Sequence, residues 1–240
     1  MVTAIILAAG QGRRMQSSVP KQFLEVDGEP VIVKTLRVFE LSREIDSILL
    51  VTAREYTAYC TEQIVEKYGF RKVARIVEGG RERYDSVWNA LMACEELYGW
   101  KSTYEAGRKS RDFAGHYVMI HDGARPFVTE DILRRTKEAV EIYQAAAVGM
   151  PSKDTVKIAD AEGFAAETPA RSKVWLIQTP QAFSYPLIVE ANRRLMAEGR
   201  MSGVTDDAMI VEASGLQKVK LVEGSYGNVK LTTPEDLWRL

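Results

Sequence analysis

Arg13, Arg14 and Lys21 follow an apolar run, Ala4 to Ala9, that is broken by Gly10 and Gly12, and no Asp or Glu occurs before Glu25. Cations placed behind glycines suit a polyphosphate ligand. Glycine lets backbone N–H groups approach a phosphate with no side chain in the way, and Arg and Lys supply the charge. A dinucleotide-binding loop is a poor fit, because Met15 occupies the third glycine position of G-x-G-x-x-G. A Walker A loop, G-x-x-x-x-G-K-[ST], is absent. A plain glycine turn with surface cations stays open at this point.

A second cluster with chemical potential is His121-Asp122-Gly123-Ala124-Arg125-Pro126. Asp122 is the candidate Mg²⁺ ligand, since magnesium takes one or two protein carboxylates and completes its shell with water and phosphate oxygens. The alternative is an aspartate capping a turn. His121 reads as a satisfied core histidine.

These groups need elements to hold them. Ala4 to Ala9 has the length of a buried strand. Val31 to Phe39 follows as a helix with Val31, Leu36 and Phe39 on one face, Ile45 to Val51 as a strand, and Tyr56 to Tyr68 as a helix ended by Gly69. Val73 to Val77 is a third strand, and Gly79-Gly80 breaks it before a helix with Val87, Leu91, Cys94 and Tyr98 on one face. Gly99 to Gly115, rich in Lys, Arg, Ser and Gly, reads as a long surface loop. Tyr117 to Ile120 forms a fourth strand that delivers Asp122 at its end. Thr129 caps a helix to about Gln144, and Ala145 to Met150 is a fifth strand. Strand–helix alternation predicts an α/β fold with a mostly parallel sheet covered on both faces.

Ser152 to Trp175 has no helical periodicity, and its alternating segments Thr155 to Ile158 and Lys173 to Ile177 predict a β-hairpin arm, 151–176, leaving the sheet. Ser184 caps a helix through Glu198, and Thr205 caps another that stops at Gly215. Strands are expected over Gln217 to Val222 and Asn228 to Leu231, and Thr233-Pro234 opens a final helix. The 240 residues read as a single domain, 1–240, bearing the arm.

The net charge of -1 argues against a protein that coats nucleic acid or an anionic membrane, so any anion site must be local. No apolar stretch approaches the roughly 18 residues that span a bilayer, and the N-terminus lacks the marks of a signal peptide. Cys60 and Cys94, in no metal-like spacing, read as reduced. The expectation is a cytoplasmic protein.

Leu7-Ala8-Ala9-Gly10-Gln11-Gly12-Arg13-Arg14-Met15 with Pro20-Lys21-Gln22 resembles the start of the nucleotidyltransferases that activate sugars and sugar alcohols. His121 to Pro126, Asp154-Thr155-Val156-Lys157, Gln178-Thr179-Pro180-Gln181, Thr205-Asp206-Asp207-Ala208 and Asn228-Val229-Lys230 narrow the resemblance to the 2-C-methyl-D-erythritol 4-phosphate cytidylyltransferase family, from Ala4 to about Leu237. The resemblance implies a Rossmann-like three-layer αβα sandwich with a β-hairpin dimerisation arm. It also implies a Mg²⁺-dependent reaction of CTP with a polyol phosphate in the non-mevalonate isoprenoid pathway. A ribitol-5-phosphate cytidylyltransferase is the nearest rival, and a catalytically silent nucleotide-binding protein is another.

Residue roles follow from the same resemblance. Arg14, Lys21 and Lys230 would be catalytic cations, and Gly10, Gln11 and Gly12 backbone donors to the triphosphate. Ala8, Ala9, Gly80 and Ser86 would select the pyrimidine, and Asp122 would meet the nucleotide through the metal. Arg125, Thr155 and Arg171 would bind the acceptor, with Arg171 supplied by the other subunit of a homodimer joined through crossed arms. The family often has an aspartate three residues before the lysine; here that residue is Gly227.

Overall fold

The structure is a computed structural model that describes residues 1–10, 19–100, 104, 115–233 and 236. In chain order its elements are β1 (Val2–Ala8), a ribbon of β2 (Glu25–Val26) and β3 (Glu29–Pro30), α1 (Val31–Leu41), β4 (Ser47–Thr52) and α2 (Thr57–Tyr59), which widens into a π-helical stretch, Cys60–Glu66. There follow β5 (Val73–Glu78), α3 (Arg83–Tyr98), β6 (Tyr117–Asp122), α4 (Glu130–Tyr143), β7 (Ala145–Pro151), β8 (Ile158–Ala159) and β9 (Ala165–Glu167). The last are β10 (Trp175–Ser184), α5 (Tyr185–Ala197), α6 (Asp207–Ser214) and β11 (Lys220–Glu223).

The central sheet has the order β11-β7-β10-β6-β1-β4-β5. Only β10 runs antiparallel to its neighbours; the other pairings are parallel. Period-two alternation along β1 divides its side chains between two cores. Ala4, Ile6 and Ala8 pack with Ile32, Leu36 and Phe39 of α1 and with Ile132 and Val140 of α4. Ile5 packs with Val87, Leu91 and Cys94 of α3 and with Leu187, Ile188, Ile210 and Val211 of α5 and α6. Burial on both faces explains why these strands read as continuous apolar runs. The mostly parallel α/β architecture expected from the sequence is therefore present, with helices on both sides of the sheet.

Several local expectations need correction. Helix α6 is capped by Asp206, whose carboxylate accepts from the Met209 N–H at 2.9 Å, and not by Thr205. Ser184 stands at the N-cap of α5, but its side chain makes no capping bond. Residues 54–66 form 3-10, α and π turns in place of one regular helix, although Gly69 does end the segment with φ 67°.

The arm also differs from the expected pairing. Ile158–Ala159 pairs with Ala165–Glu167, while Trp175 to Ile177 joins the main sheet opposite Gly149 to Pro151. The Trp175 to Ile177 part of the alternating Lys173 to Ile177 segment finds a ladder partner in β7, while Lys173 ends a 3-10 turn; the main sheet satisfies its backbone better than a two-stranded hairpin would. No strand forms over Asn228 to Leu231. That segment crosses the strand ends without a ladder: Leu231 N–H donates to Ala124 O in a loop, and the Asn228 side-chain Nδ2 donates to the backbone Thr179 O of β10. Of the expected 217–222 strand, only residues from Lys220 onward pair with β7. Most of the expected Gly99 to Gly115 loop, and the final helix from Pro234, lie outside the described residues.

Candidate active site

Leu7 of β1 stands opposite Asp122 of β6, so both strands end at the same level. The strand order reverses here, with β4 on one side of β1 and β6 on the other. Such a switch point leaves a crevice at the carboxyl ends of the strands. A cavity of about 820 Å³ opens there. Its walls are Ala9 and Gly10, the turn carrying Lys21 and Gln22, Gly79 to Arg83 with Ser86, Asp122 and Ala124, and Lys230.

Two local devices shape the first wall. Gln22 is buried and its Nε2 donates to Ala8 O and to Gly10 O, which ties the Lys21 turn to the end of β1. Gly79 approaches Ala9 so closely that an added Cβ would lie 2.4 Å from the Ala9 Cβ. Only glycine permits that contact. Ser86 Oγ then accepts from the Gly80 N–H at 3.0 Å and donates to Glu82 O, drawing the glycine turn onto the first turn of α3.

The lining carries five cationic side chains, Lys21, Arg54, Arg81, Arg83 and Lys230, against Glu55, Glu82 and Asp122. A chain of net charge -1 thus holds a locally positive cleft. Asp122 is the focus: Lys230 Nζ is 2.9 Å from Oδ2, Arg125 Nε 3.5 Å from Oδ2, and Arg83 Nε 3.9 Å from Oδ1. Burial alone would push its carboxyl up, but Lys230 and Arg83 outweigh that and hold it well below the usual carboxylate range. Asp122 is therefore an ionised carboxylate in the lining of the cleft.

His121 takes no part in this lining. Thr179 Oγ1 accepts from the Asp122 N–H, so its own proton goes to His121 Nδ1, and His121 Nε2 donates to Arg125 O. The ring is neutral and fully buried, and burial pushes its pKa down to about 4. In the unfolded chain it titrates near 6.5, so as pH falls the unfolded state takes the proton first. The stability due to the neutral ring is complete above pH 6.5 and is lost between there and about pH 4, by roughly 3 kcal/mol. Urea midpoints at about pH 7.5 and about pH 4.5 should therefore drop less for His121→Gln than for the native chain. Equal drops would remove His121 from the acid response.

Of the residues singled out in the sequence, the fold brings Ala9, Gly10, Lys21, Gly80, Ser86, Asp122 and Lys230 around one cavity. Ala8 is buried in the core with its carbonyl engaged by Gln22. Arg125 stands behind the lining, with Nη1 donating to Asn228 O at 2.8 Å, and so clamps the segment that carries Lys230. Thr155 and Arg171 are exposed on the arm, where Arg171 Nη1 donates to Lys153 O. Gln11, Gly12, Arg13 and Arg14 lie outside the described residues. Sequence reasoning missed Arg83, whose one clue is a cation in the first turn of a helix, where the dipole disfavours it. It also gave Gln22 no task, because an anchoring amide has no spacing signature.

A cation-rich cleft at a switch point, beside a glycine wall, suits a polyanionic nucleotide, and the family match places the chain among the nucleotidyltransferases. The sequence model of the family described as IspD: 2-C-methyl-D-erythritol 4-phosphate cytidylyltransferase matches residues 2–239. A protein of that name from Lachnospira eligens is 45% identical over 237 residues, covering 99% of this chain and 96% of its own. One from Geobacter metallireducens is 46% identical over 236 residues, covering 98% and 94%. The crystal structure of 4-diphosphocytidyl-2C-methyl-D-erythritol synthase from Anaerococcus prevotii is 34% identical with a TM-score of 0.78, covering 99% of this chain and 92% of that one. The Francisella tularensis enzyme gives 28% and 0.75, with 100% and 99% covered. The chain belongs to the 2-C-methyl-D-erythritol 4-phosphate cytidylyltransferase family.

Proposed function

We propose that the cleft around Asp122 is where the two anionic substrates of the family's reaction meet. That reaction is cytidylyl transfer from CTP to 2-C-methyl-D-erythritol 4-phosphate, which yields 4-diphosphocytidyl-2-C-methyl-D-erythritol and pyrophosphate in the non-mevalonate pathway to isoprenoids. The observation that carries the site assignment is the ring of cations about one ionised carboxylate at the switch point.

An acceptor phosphate oxygen attacks the α-phosphorus of CTP, and the bond from that phosphorus to the bridging oxygen of pyrophosphate breaks. The acceptor is already ionised at neutral pH, so no protein nucleophile or base is needed; repulsion between the polyanions is the barrier to overcome. Lys21, with Arg14, neutralises the triphosphate and the departing pyrophosphate. Lys230 screens the α-phosphate from the facing wall. Ala9, Gly80 and Ser86 form the nucleotide side, where small residues admit a pyrimidine against the backbone with Ala8 packed behind them, and Gly10, Gln11 and Gly12 serve as backbone donors to the triphosphate.

Asp122 fits Mg²⁺, because its carboxylate is ionised and its Oδ1 has Arg83 no nearer than 3.9 Å. Among the described residues no cluster of three or more His, Cys, Asp or Glu gathers around it, which leaves the remaining positions to water and phosphate. Bound there, the ion would neutralise charge on the phosphates.

Arg125, Thr155 and Arg171 serve the acceptor in this reading, with Arg171 reaching the site of a second subunit. The support for a crossed-arm homodimer is the exposure of apolar arm residues, 72% for Phe164 and 49% for Ile158, on a hairpin too short to stand alone. Among the described residues no helix is long and apolar enough to cross a membrane, and the two free cysteines are buried; a cytoplasmic location accords with both.

The test supplies CTP and Mg²⁺ with either 2-C-methyl-D-erythritol 4-phosphate or ribitol 5-phosphate and measures pyrophosphate release. Release with the first acceptor alone is expected. Release only with ribitol 5-phosphate would overturn the substrate assignment, and CTP binding without release from either would leave a nucleotide-binding protein.

A further inference from the structure

Arg83 and Asp207 have no task in the reaction as described, yet they form the ion pair that joins the cavity to the far helices. Each is the first residue of its helix, α3 and α6, and both helices pack on one face of the sheet. Arg83 Nη2 donates to Asp207 Oδ2 at 2.6 Å, while Arg83 Nε points toward Asp122 Oδ1 at 3.9 Å, beyond hydrogen-bond reach. The two partners differ in freedom. Asp207 is fully buried and its backbone is pinned, since Gln181 Oε1 accepts from the N–H groups of Asp207 and Ala208 at 3.1 and 2.9 Å. The Arg83 side chain keeps 28% exposure and lines the cavity.

Stability does not account for the pair. Asp207 Oδ1 is buried with no hydrogen-bond partner among the described residues, and burial pushes the carboxyl up against the pull of Arg83. A pair of neutral residues in the two places would sit there at lower cost. Arg83 for its part lies in the first turn of α3, where a cation opposes the helix dipole. What the pair does achieve is geometric. Tethered by Nη2, the guanidinium stays in the cleft with one edge short of Asp122. Released, it could turn two N–H groups of one edge onto that carboxylate in a bidentate pair, the arrangement that Arg and a carboxylate favour. The cleft would then lose a cation and an anion together.

We propose that Asp207 is a positioning residue that holds Arg83 in the cleft as a fixed cation for the nucleotide triphosphate and keeps it from closing on Asp122. This rests on the cleft being the CTP site.

A double-mutant cycle decides it, read by calorimetric CTP binding and by steady-state kinetics with each substrate varied. Asp207→Asn keeps an acceptor and removes the charge. It should weaken CTP binding and raise the KM for CTP by about ten-fold, with the acceptor KM within about two-fold of native, alongside the fall in melting temperature that breaking a buried pair from one side brings. Arg83→Ala should weaken CTP by about thirty-fold, and adding Asp207→Asn to it should cost no more than about two-fold further, because Asp207 acts only through Arg83. Arg83→Lys, a point charge that cannot serve both neighbours, gives an independent check on a partly exposed side chain and should also weaken CTP by about ten-fold.

Native CTP affinity in Asp207→Asn or in Arg83→Lys would overturn the proposal, as would a full additional loss in the double variant. A drop in melting temperature with both KM values changed alike would reduce Asp207 to a structural part. A native chain that binds CTP but fails these tests sinks only the role of Asp207, whereas one that binds no CTP sinks the cleft assignment as well.

Discussion

Lys21→Ala is expected to lower kcat by about 10²- to 10³-fold while the protein stays folded. The turn Lys21–Phe23 is held by its other two residues. Gln22 is anchored on Ala8 and Gly10, and Phe23 is buried with its ring 5.0 Å from that of Tyr56 and 5.2 Å from that of Tyr59. Alanine removes the charge that faces the cavity and leaves both anchors in place, so the stability change should stay within about 1 kcal/mol. The loss should fall on kcat, because negative charge builds on the leaving pyrophosphate as the bond breaks, and an interaction that strengthens only then lowers the barrier. Pyrophosphate release and a thermal melt on the same preparation measure the two effects. Turnover within a few-fold of native would exclude Lys21 from the charge-bearing machinery.

Asp122→Asn is expected to damage both activity and stability. Its carboxylate is the common partner of Lys230, Arg125 and Arg83. Neutralising it leaves these cations to repel one another across a cleft from which water is partly excluded, and breaking a buried pair from one side is expensive. Lys230 and Arg83 keep some solvent contact, so the loss should be about 2 kcal/mol rather than the upper end of the range. Turnover should fall by about 10³-fold, since the variant loses its candidate Mg²⁺ ligand and the group that orients Lys230. Mn²⁺ binding in the presence of CTP, followed by electron paramagnetic resonance, separates the two causes. Metal affinity equal to native with turnover lost would assign Asp122 to cation placement alone, and native turnover would remove it from the site.

The two variants test different physics. Lys21 belongs to a turn whose backbone is fixed by Gln22 and Phe23, so the turn keeps its place when the Lys21 side chain is cut back. Asp122 belongs to the core of the ion cluster, and its folded-state ionisation is itself a stability statement. Because its carboxyl is held below its unfolded value, its contribution is present above about pH 4 and is lost as pH falls below that. The acid limb of stability is therefore shared by Asp122 and His121, with His121 responding first as pH falls.

The sequence by itself determined the five parallel strands β1, β4, β5, β6 and β7 and the helices α1, α3 and α4 among them, and its motifs carried the resemblance that implied the reaction class. Buried strands declare themselves as apolar runs such as Ala4 to Ala9 and Ala145 to Met150, and the glycines after the first strand are followed by Arg13, Arg14 and Lys21 in a stretch that holds no Asp or Glu before Glu25. Those signals are local, because a strand buried on both faces and a loop that must approach a phosphate each restrict residue type within a few positions. The tertiary structure alone decided which of the polar residues share a cavity. Lys173 to Ile177 alternates like an arm strand, yet its Trp175 to Ile177 part joins β7, because a backbone ladder depends on which edge is near and not on the segment's own pattern. Asn228 to Leu231 alternates little and is held by Arg125, Thr179 and Ala124 across the strand ends. Arg83 and Asp207 lie 124 residues apart and meet only because α3 and α6 start at the same end of one sheet face. Charge placement over such distances carries no spacing signal, since the interaction is set by the packed position of two helix ends rather than by any period along the chain.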